Sequence, residues 1–251
     1  MTAAGILTRL ESFPWANLHA ITRDAPPLIL SPHQDDESLG CGGLIAACAA
    51  RGIPPVIVWI TDGTQSHPSS GRFNPAGRRQ IREAEARQAA AILGVPPSRL
   101  HFLRFPDQAA PSRGPKFAAA VRRLAEIAAA HGCRAVLAPW SQDPHPDHAA
   151  TRQIAARIVL PQWRYLIWGW TIPPDASLPD EAPHGLRLDV TRLVHAKRQA
   201  IAAHRSQHGH VFTDAAEGCI LSAEFLAFFD RPWEVFLAER PRHPRSPGRP
   251  A

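Results

Sequence analysis

Residues 27–43 read Pro-Leu-Ile-Leu-Ser-Pro-His-Gln-Asp-Asp-Glu-Ser-Leu-Gly-Cys-Gly-Gly. An apolar run, Pro27 to Leu30, has the look of a buried strand. A polar turn follows, then glycines, then a helical run over 44–51 that Gly52 closes. The same unit recurs down the chain. A strand is expected over 56–60, ending at Thr61-Asp62-Gly63, and a Ser/Pro/Gly-rich loop over 64–77. Helix over 78–93, strand over 100–105, helix over 117–130, strand over 135–138 and helix over 149–159 complete the regular part. Later strands are expected over 164–170, 186–190 and, at an edge, 233–237, with helices over 192–204 and 223–229. Strands alternating with helices at this spacing argue an α/β fold: a mostly parallel sheet with helices on both faces.

Composition agrees. In 251 residues, 45% are hydrophobic and 20% charged, which suits a folded chain rather than a disordered one. No internal repeat or linker breaks it, so 1–239 reads as one domain and 240–251 as a basic, proline-rich, disordered tail. The net charge of +6 is partly local: four of the 28 basic residues fall in that tail, which has no acid, leaving 24 against 22. A nearly neutral body speaks against a nucleic-acid partner. No apolar run approaches the roughly 20 residues that span a bilayer. No secretory signal is read at the N-terminus, and Cys41, Cys48, Cys133 and Cys219 form no CxxC pair, so buried thiols in a reducing cytoplasm are expected.

In an open α/β sheet, ligands sit beyond the carboxyl ends of the strands. Four exits carry polar residues there: His33 to Glu37, Thr61-Asp62-Gly63, Pro106-Asp107 and Asp143 to His148. Parallel topology puts them on one edge. His33, Asp36 and His148 then make the two-imidazole, one-carboxylate set of a hydrolytic zinc site with a position left for water. Asp35, beside a proposed ligand, is placed as general base. His145 is placed to face the developing oxyanion as a protonated imidazole, or to protonate the leaving amine. Each segment alone also reads structurally: Asp-Asp-Glu as helix capping, His-Pro-Asp-His as a rigid turn. Their joint occurrence on one edge favours the metal reading.

Ser31-Pro32-His33-Gln34-Asp35-Asp36-Glu37 with Gly42-Gly43 resembles the HPDDE…GG signature of the PIG-L/LmbE-like N-acetylglucosaminyl deacetylases. His145 to His148 resembles that family's HPDH, Thr61-Asp62-Gly63 its TDG, and Arg82-x-x-Glu85 before Leu93-Gly94 its R-x-x-E…LG helix. Residues 197–207 resemble a K…H-x-SQ segment of many members. The resemblance implies a Rossmann-like, LmbE-like fold and a zinc-dependent deacetylase acting on a small N-acetylated sugar or sugar conjugate. It assigns the metal to His33, Asp36 and His148, the base to Asp35, the oxyanion to His145, and sugar hydroxyls to Arg82 and Asp107. Gln34 departs from the family's usual proline but occupies no ligand position.

Asp62 is carried as a substrate-binding candidate, with a turn-capping role as its equal alternative. Arg78, Arg79 and, the resemblance apart, Arg82 read as solvated, and His67 as an exposed loop residue, with a lid as its alternative. His204 and Gln207 read either as pocket residues or as helix-end caps. Trp163, Trp168 and Trp170 read mostly as core. The glycines at 40, 42 and 43 read as close helix–sheet packing rather than a phosphate loop. The sequence leaves three rival functions: an amidase on another small N-acyl conjugate, a non-catalytic sugar- or nucleotide-binding protein, and a nucleic-acid binder acting through the basic tail. It leaves the oligomeric state open, a homo-oligomer included, and another divalent metal in place of zinc.

Overall fold

The structure, a computed structural model, describes residues 2–178 and 183–239; the tail expected over 240–251 lies outside them. Among the described residues, eight strands form one sheet: β1 (Trp15–Ala16), β2 (Pro27–Ser31), β3 (Val56–Thr61), β4 (Leu100–Phe105), β5 (Ala135–Pro139), β6 (Gln162–Tyr165), β7 (Gly185–Asp189) and β8 (Trp233–Glu239). Their order is β1-β7-β8-β6-β5-β2-β3-β4. Every pairing is parallel except those of β8, which runs antiparallel to β6 and β7. The C-terminal strand, expected at an edge, is therefore an interior strand. Apolar side chains on both of its faces stabilise that position: Val235, Phe236 and Leu237 are all buried.

The helices are α1 (Ala3–Glu11), α2 (Leu18–Thr22), α3 (Asp36–Ala50), α4 (Pro75–Ile92), α5 (Gly114–Ala130), α6 (Pro146–Ala155), α7 (Val194–Ala203) and α8 (Ala223–Ala227). The period-2 pattern of the central strands splits the core in two. Leu28, Leu30, Val56, Val58, Ile60 and Val136 join α5 and α6 on one face. Ile29, Ile57, Trp59 and Leu137 join α3, α4 and α7 on the other. The N-terminal α1, β1 and α2 were not legible as elements, and the aromatic run expected as a strand over 164–170 is only β6 followed by a short 3-10 turn, Trp168–Thr171.

α3 starts eight residues earlier than its composition suggests, and the glycines lie inside it. Low helix propensity at three glycines argues against a helix there, but close approach requires them. A Cβ on Gly40 would sit 2.4 Å from the Tyr165 ring, and one on Gly43 would sit 2.4 Å from Val190. The same helix stretch is held by a buried carboxylate. Glu234 of β8 accepts from the Gly43 and Leu44 N–H groups at 2.7 and 2.8 Å, and from Lys197 Nζ at 2.7 Å. The N-terminus of α3 is thereby fixed over the C-terminal end of β2.

Gly43→Ala is expected to lower stability by about 1–3 kcal/mol through overpacking. Gly71→Ala, whose Cβ would meet nothing within 4 Å, should leave it unchanged. Urea unfolding midpoints of the two variants check this. The cysteines give a second test. Cys41, Cys48 and Cys133 are buried free thiols as expected, but Cys219 is exposed. Burial pushes the Cys48 thiol up to about 12 and that of Cys133 to about 11. Burial raises the Cys219 thiol as well, so exposure is what sets it apart: a maleimide should add once to the native protein, at Cys219, and reach the other three only after unfolding. Peptide mass mapping reads the outcome.

Candidate active site

β2 and β5 are neighbours, and their continuations are His33 to Glu37 and Asp143 to His148. This is the point where the strand order turns back, and the crevice it opens lies beyond the strand ends. Two segments more than a hundred residues apart meet there. His33 Nδ1 lies 3.2 Å from Asp36 Oδ2, His148 Nε2 lies 3.1 Å from the same oxygen, and the two nitrogens are 3.3 Å apart. Ligands bound to one zinc at about 2.0–2.1 Å and tetrahedral angles are themselves about 3.3–3.4 Å apart. The three donor atoms thus form a triangle of the size that zinc requires, built from the expected residues.

The electrostatics suit a cation. Asp36 is buried, which alone would raise its pKa, yet His148 and His33 hold it well below the ordinary carboxylate range. Burial lowers the pKa of His148, but Asp36 and Asp143 outweigh it and raise the group to about 9. His33 likewise is raised against its burial by Asp107, Asp147 and Asp36. Imidazoles that hold protons this firmly sit in negative potential, where a bound metal would replace those protons.

Outer carboxylates orient the imidazoles, as metal ligands commonly require. The second nitrogen of His33, Nε2, lies 3.2 Å from Asp147 Oδ2 and 3.3 Å from Asp107 Oδ1. His33 also clusters tightly enough to hold an ion with His145 and His148, and with Asp107 and Asp147; a proton on Nε2 shared with the two acids accounts for the second cluster and leaves Nδ1 available to a metal. His148 Nδ1 is 3.1 Å from Asp143 Oδ1. These acids are anchored in turn. Asp147 accepts from the Gln108 and Ala110 N–H groups at 2.7 and 2.9 Å, and Asp143 from the His145 and Trp168 N–H groups at 3.2 and 2.9 Å. Asp143 and Asp147 had no role assigned from sequence. Their signal was their position, each within two residues of a candidate histidine.

Asp35 occupies the N-cap position of α3 but makes no capping hydrogen bond. Its φ of 146° lies in a region that side chains disfavour. The turn is held by Glu37, whose Oε2 accepts from Asp35 N–H, Ser31 Oγ and Trp59 Nε1. The Asp35 carboxyl lines the cleft with Arg82 Nη2 3.6 Å away. Burial raises the Asp35 pKa to about 6 despite Arg82, with Asp36 adding to the rise. The capping alternative for this residue is therefore set aside.

His145 lines the same cleft, with its ring 4.6 Å from that of His33. It is also the N-cap of α6: its Nδ1 accepts from Asp147 N–H at 3.2 Å. That fixes the proton of a neutral ring on Nε2. Burial and the neighbouring His33 and His148 hold its pKa below the ordinary value. The capping bond and the lowered pKa both favour a neutral N–H donor over the protonated imidazole expected.

Arg82 is buried, not solvated. Its Nη2 donates to the Gln34 carbonyl and it lines the cleft. Arg78 is buried too, and donates to the Thr64 and Phe73 carbonyls, so it braces the loop before α4. Arg79 is half-buried. Asp107 lines the cleft, whereas Asp62 stands behind it, accepting from Thr64 N–H and Oγ1 and from Asp107 N–H. Of its two readings, these contacts favour the turn. His67 is buried against Phe212, not exposed. Gln207 reaches the cleft, while His204 is buried behind it, near Ser38 and Glu37. Trp168 lines the cleft stacked on Phe225, whereas Trp170 packs in the core beside Phe228. No helix among the described residues is long and apolar enough to cross a membrane.

Among solved structures the chain is similar to an N,N'-diacetylchitobiose deacetylase from Pyrococcus horikoshii, at 24% identity and a TM-score of 0.58, covering 79% of this chain and 75% of that one. It is similar to the conserved protein TT1542 from Thermus thermophilus at 22% identity and a TM-score of 0.62, over 89% and 100% of the two chains. It is also similar to GalB, the 4-carboxy-2-hydroxymuconate hydratase from Pseudomonas putida, at 19% identity and a TM-score of 0.57, over 90% and 100%. At these identities the likeness establishes the shared LmbE-like fold, which carries more than one reaction. The model of the family PIG-L: GlcNAc-PI de-N-acetylase matches residues 28–159, more than half of the chain and a span that includes His33, Asp36 and His148, and the chain belongs to that family.

Proposed function

We propose that this protein is a zinc-dependent N-deacetylase that hydrolyses the acetamide of an aminosugar-containing small molecule to the free amine and acetate. The observation that carries the reading is the donor triangle of His33, Asp36 and His148 with the uncapped Asp35 carboxyl beside it. When bound, zinc supplies a Lewis acid for the amide carbonyl and lowers the pKa of water from about 15.7 to about 7. The remaining steps fall to the chain's own residues.

Asp35 accepts the proton of the attacking water as oxygen adds to the carbonyl carbon, and returns it to the amide nitrogen as the C–N bond breaks. Arg82 keeps that carboxyl oriented from 3.6 Å away. His145 donates from Nε2 to the oxyanion, a role a neutral ring performs. The cleft has two characters that suit a sugar. Arg82, Asp107 and Gln207 offer polar contacts to hydroxyls, and Trp168, backed by Phe225, offers an aromatic face to the C–H side of a ring.

Acetate release from a panel of N-acetylated sugars, sugar conjugates and other N-acyl amines tests the proposal. Turnover of an N-acetyl aminosugar that chelation abolishes and added zinc restores is expected. Release only from non-sugar amides would favour the amidase reading. Metal binding without turnover of any amide would leave a binding protein, or a water-adding enzyme of the same fold.

Asp35→Asn should keep stoichiometric metal, measured by elemental analysis, while kcat falls at least about 10²–10⁴-fold. Metal loss in that variant would make Asp35 a ligand instead. His145→Ala should lose a comparable factor of about 10²–10³ for one oxyanion donor, in kcat rather than KM. Full turnover in that variant would remove His145 from the reaction.

A further inference from the structure

The ladder between β2 and β3 continues past the point where the backbone of β2 leaves the sheet. Thr61 closes β3, and its N–H and Oγ1 donate to the Pro32 carbonyl at 3.0 and 2.8 Å. A side chain makes the next rung. Gln34 Nε2 donates to the Thr61 carbonyl at 2.9 Å. That partner is an acceptor, so the amide nitrogen has to face it, and the orientation of the carboxamide is fixed. Oε1 at the other corner lies against Gly63, where a Cβ would fall 2.5 Å from it. Gly63 has a φ of 68°, so glycine there serves the turn and leaves room for the amide at once. Gln34 is fully buried, and among the described residues Oε1 finds no donor. Burying an amide half satisfied costs stability, and an apolar side chain of the same length would fill the space without that cost. Packing alone is therefore a poor reason for glutamine at this position.

What the amide tethers is the turn that carries Asp35. The peptide group between Gln34 and Asp35 is gripped on both sides: its carbonyl accepts from Arg82 Nη2, and its N–H donates to Glu37 Oε2 at 3.2 Å. The Asp35 carbonyl accepts the first helical bond of α3, from Leu39 N–H at 2.9 Å. Between these holds Asp35 has its φ of 146°, a conformation that persists only where the surroundings over-determine it. Glu37 and Leu39 belong to α3 and Arg82 to α4. Gln34 Nε2 supplies the link from the turn to the sheet.

We infer that Gln34 is a positioning residue: its side-chain amide ties the Asp35 turn to the end of β3 and so sets where the Asp35 carboxyl stands beside Arg82 and the attacking water. The inference rests on the deacetylase reading above. Misplacing a reacting group by about 1 Å is enough to cost about 10²-fold in rate.

The test uses Gln34→Met, which keeps the length and loses the donor, and Gln34→Glu, which keeps the shape and sets an oxygen against the Thr61 carbonyl. Each is loaded with zinc and assayed for acetate release from N-acetylglucosamine and from whichever panel sugar wild type turns over fastest. In both variants kcat should fall about 10²-fold while KM is little changed. Zinc, measured by elemental analysis, should stay stoichiometric, since Gln34 offers the metal no atom. Gln34→Met should unfold close to the wild-type temperature, because the lost hydrogen bond is offset by removal of the unsatisfied Oε1. A crystal structure of that variant should show the Asp35 carboxyl displaced from Arg82. Gly63→Ala reaches the same amide from the other side. It should lower kcat in wild type and add nothing to the loss in Gln34→Ala, although its φ lowers stability in both backgrounds. Undiminished kcat in Gln34→Met, loss of its zinc, unfolding far below wild type, an unmoved Asp35 carboxyl, or additive losses in the Gly63→Ala pair would each overturn the inference and leave the deacetylase reading standing. Wild type that releases no acetate from any N-acetyl aminosugar would overturn both.

Discussion

The convergence of His33 and His148 on a single oxygen of Asp36 is the constraint around which the rest of the sheet edge is arranged. Three ionisable groups in a buried space are costly unless each is compensated. The compensation spreads outward through carboxylates. Asp107 and Asp147 face the outer nitrogen of His33, Asp143 faces that of His148, and Asp62 braces Asp107. Each acid belongs to a strand exit or to the helix that follows it, so one electrostatic requirement ties the loops of the sheet edge into a rigid rim. A network of this kind is worth most when every member is satisfied. Backbone N–H groups at residues 108, 110, 145 and 168 supply the remaining donors.

That rim would be of no use if α3 stood off from the sheet. Gly40 and Gly43 let the helix lie against Tyr165 and Val190, and the Lys197–Glu234 pair grips its backbone from the far strand. The K…H-x-SQ segment acquires a physical account from these contacts. Lys197 holds Glu234, His204 lies against Glu37 behind the Asp35 turn, and Ser206 binds Glu85 of α4 through both N–H and Oγ. Of these four residues, Gln207 is the one that reaches the cleft.

The alternating core and the strand exits were legible because hydrophobic runs ending in polar turns carry a local signal. Strands β2 to β5 are where residues 27–30, 56–60, 100–105 and 135–138 placed them, with ends shifted by a residue at most. The convergence of His33, Asp36 and His148 was legible because parallel topology leaves few ways to arrange those exits. What escaped depends on tertiary contact alone. The early start of α3 is invisible to propensity, since glycine there answers to Tyr165 over a hundred residues away. The interior place of β8 cannot be read from five residues that would equally suit an edge. Burial of Arg78 and His67 follows from how the loop after β3 folds back on α4 and packs on Phe212 and Gly218, which leaves no periodic trace. The neutral state of His145 follows from a capping bond to Asp147, which the sequence shows only as adjacency.

The cleft is assembled from two parts of the chain with different duties. All the atoms assigned to water activation come from residues before 150, whereas the stacking face of Trp168 and Phe225, with Gln207 and Leu221, comes from residues after 160. The two meet across the opening without sharing a strand exit. Trp168 and the segments around Lys197 to Ser206 and Glu234 are tied to the rim and to α3, so it is the 209–229 stretch between them that can drift, lengthen or be exchanged, and so change which molecule is admitted, with least disturbance to the groups assigned to cleavage. A single chemistry could in this way be retargeted through one variable part of the gene, and a chimera exchanging only the 209–229 stretch is the smallest unit in which to look for it.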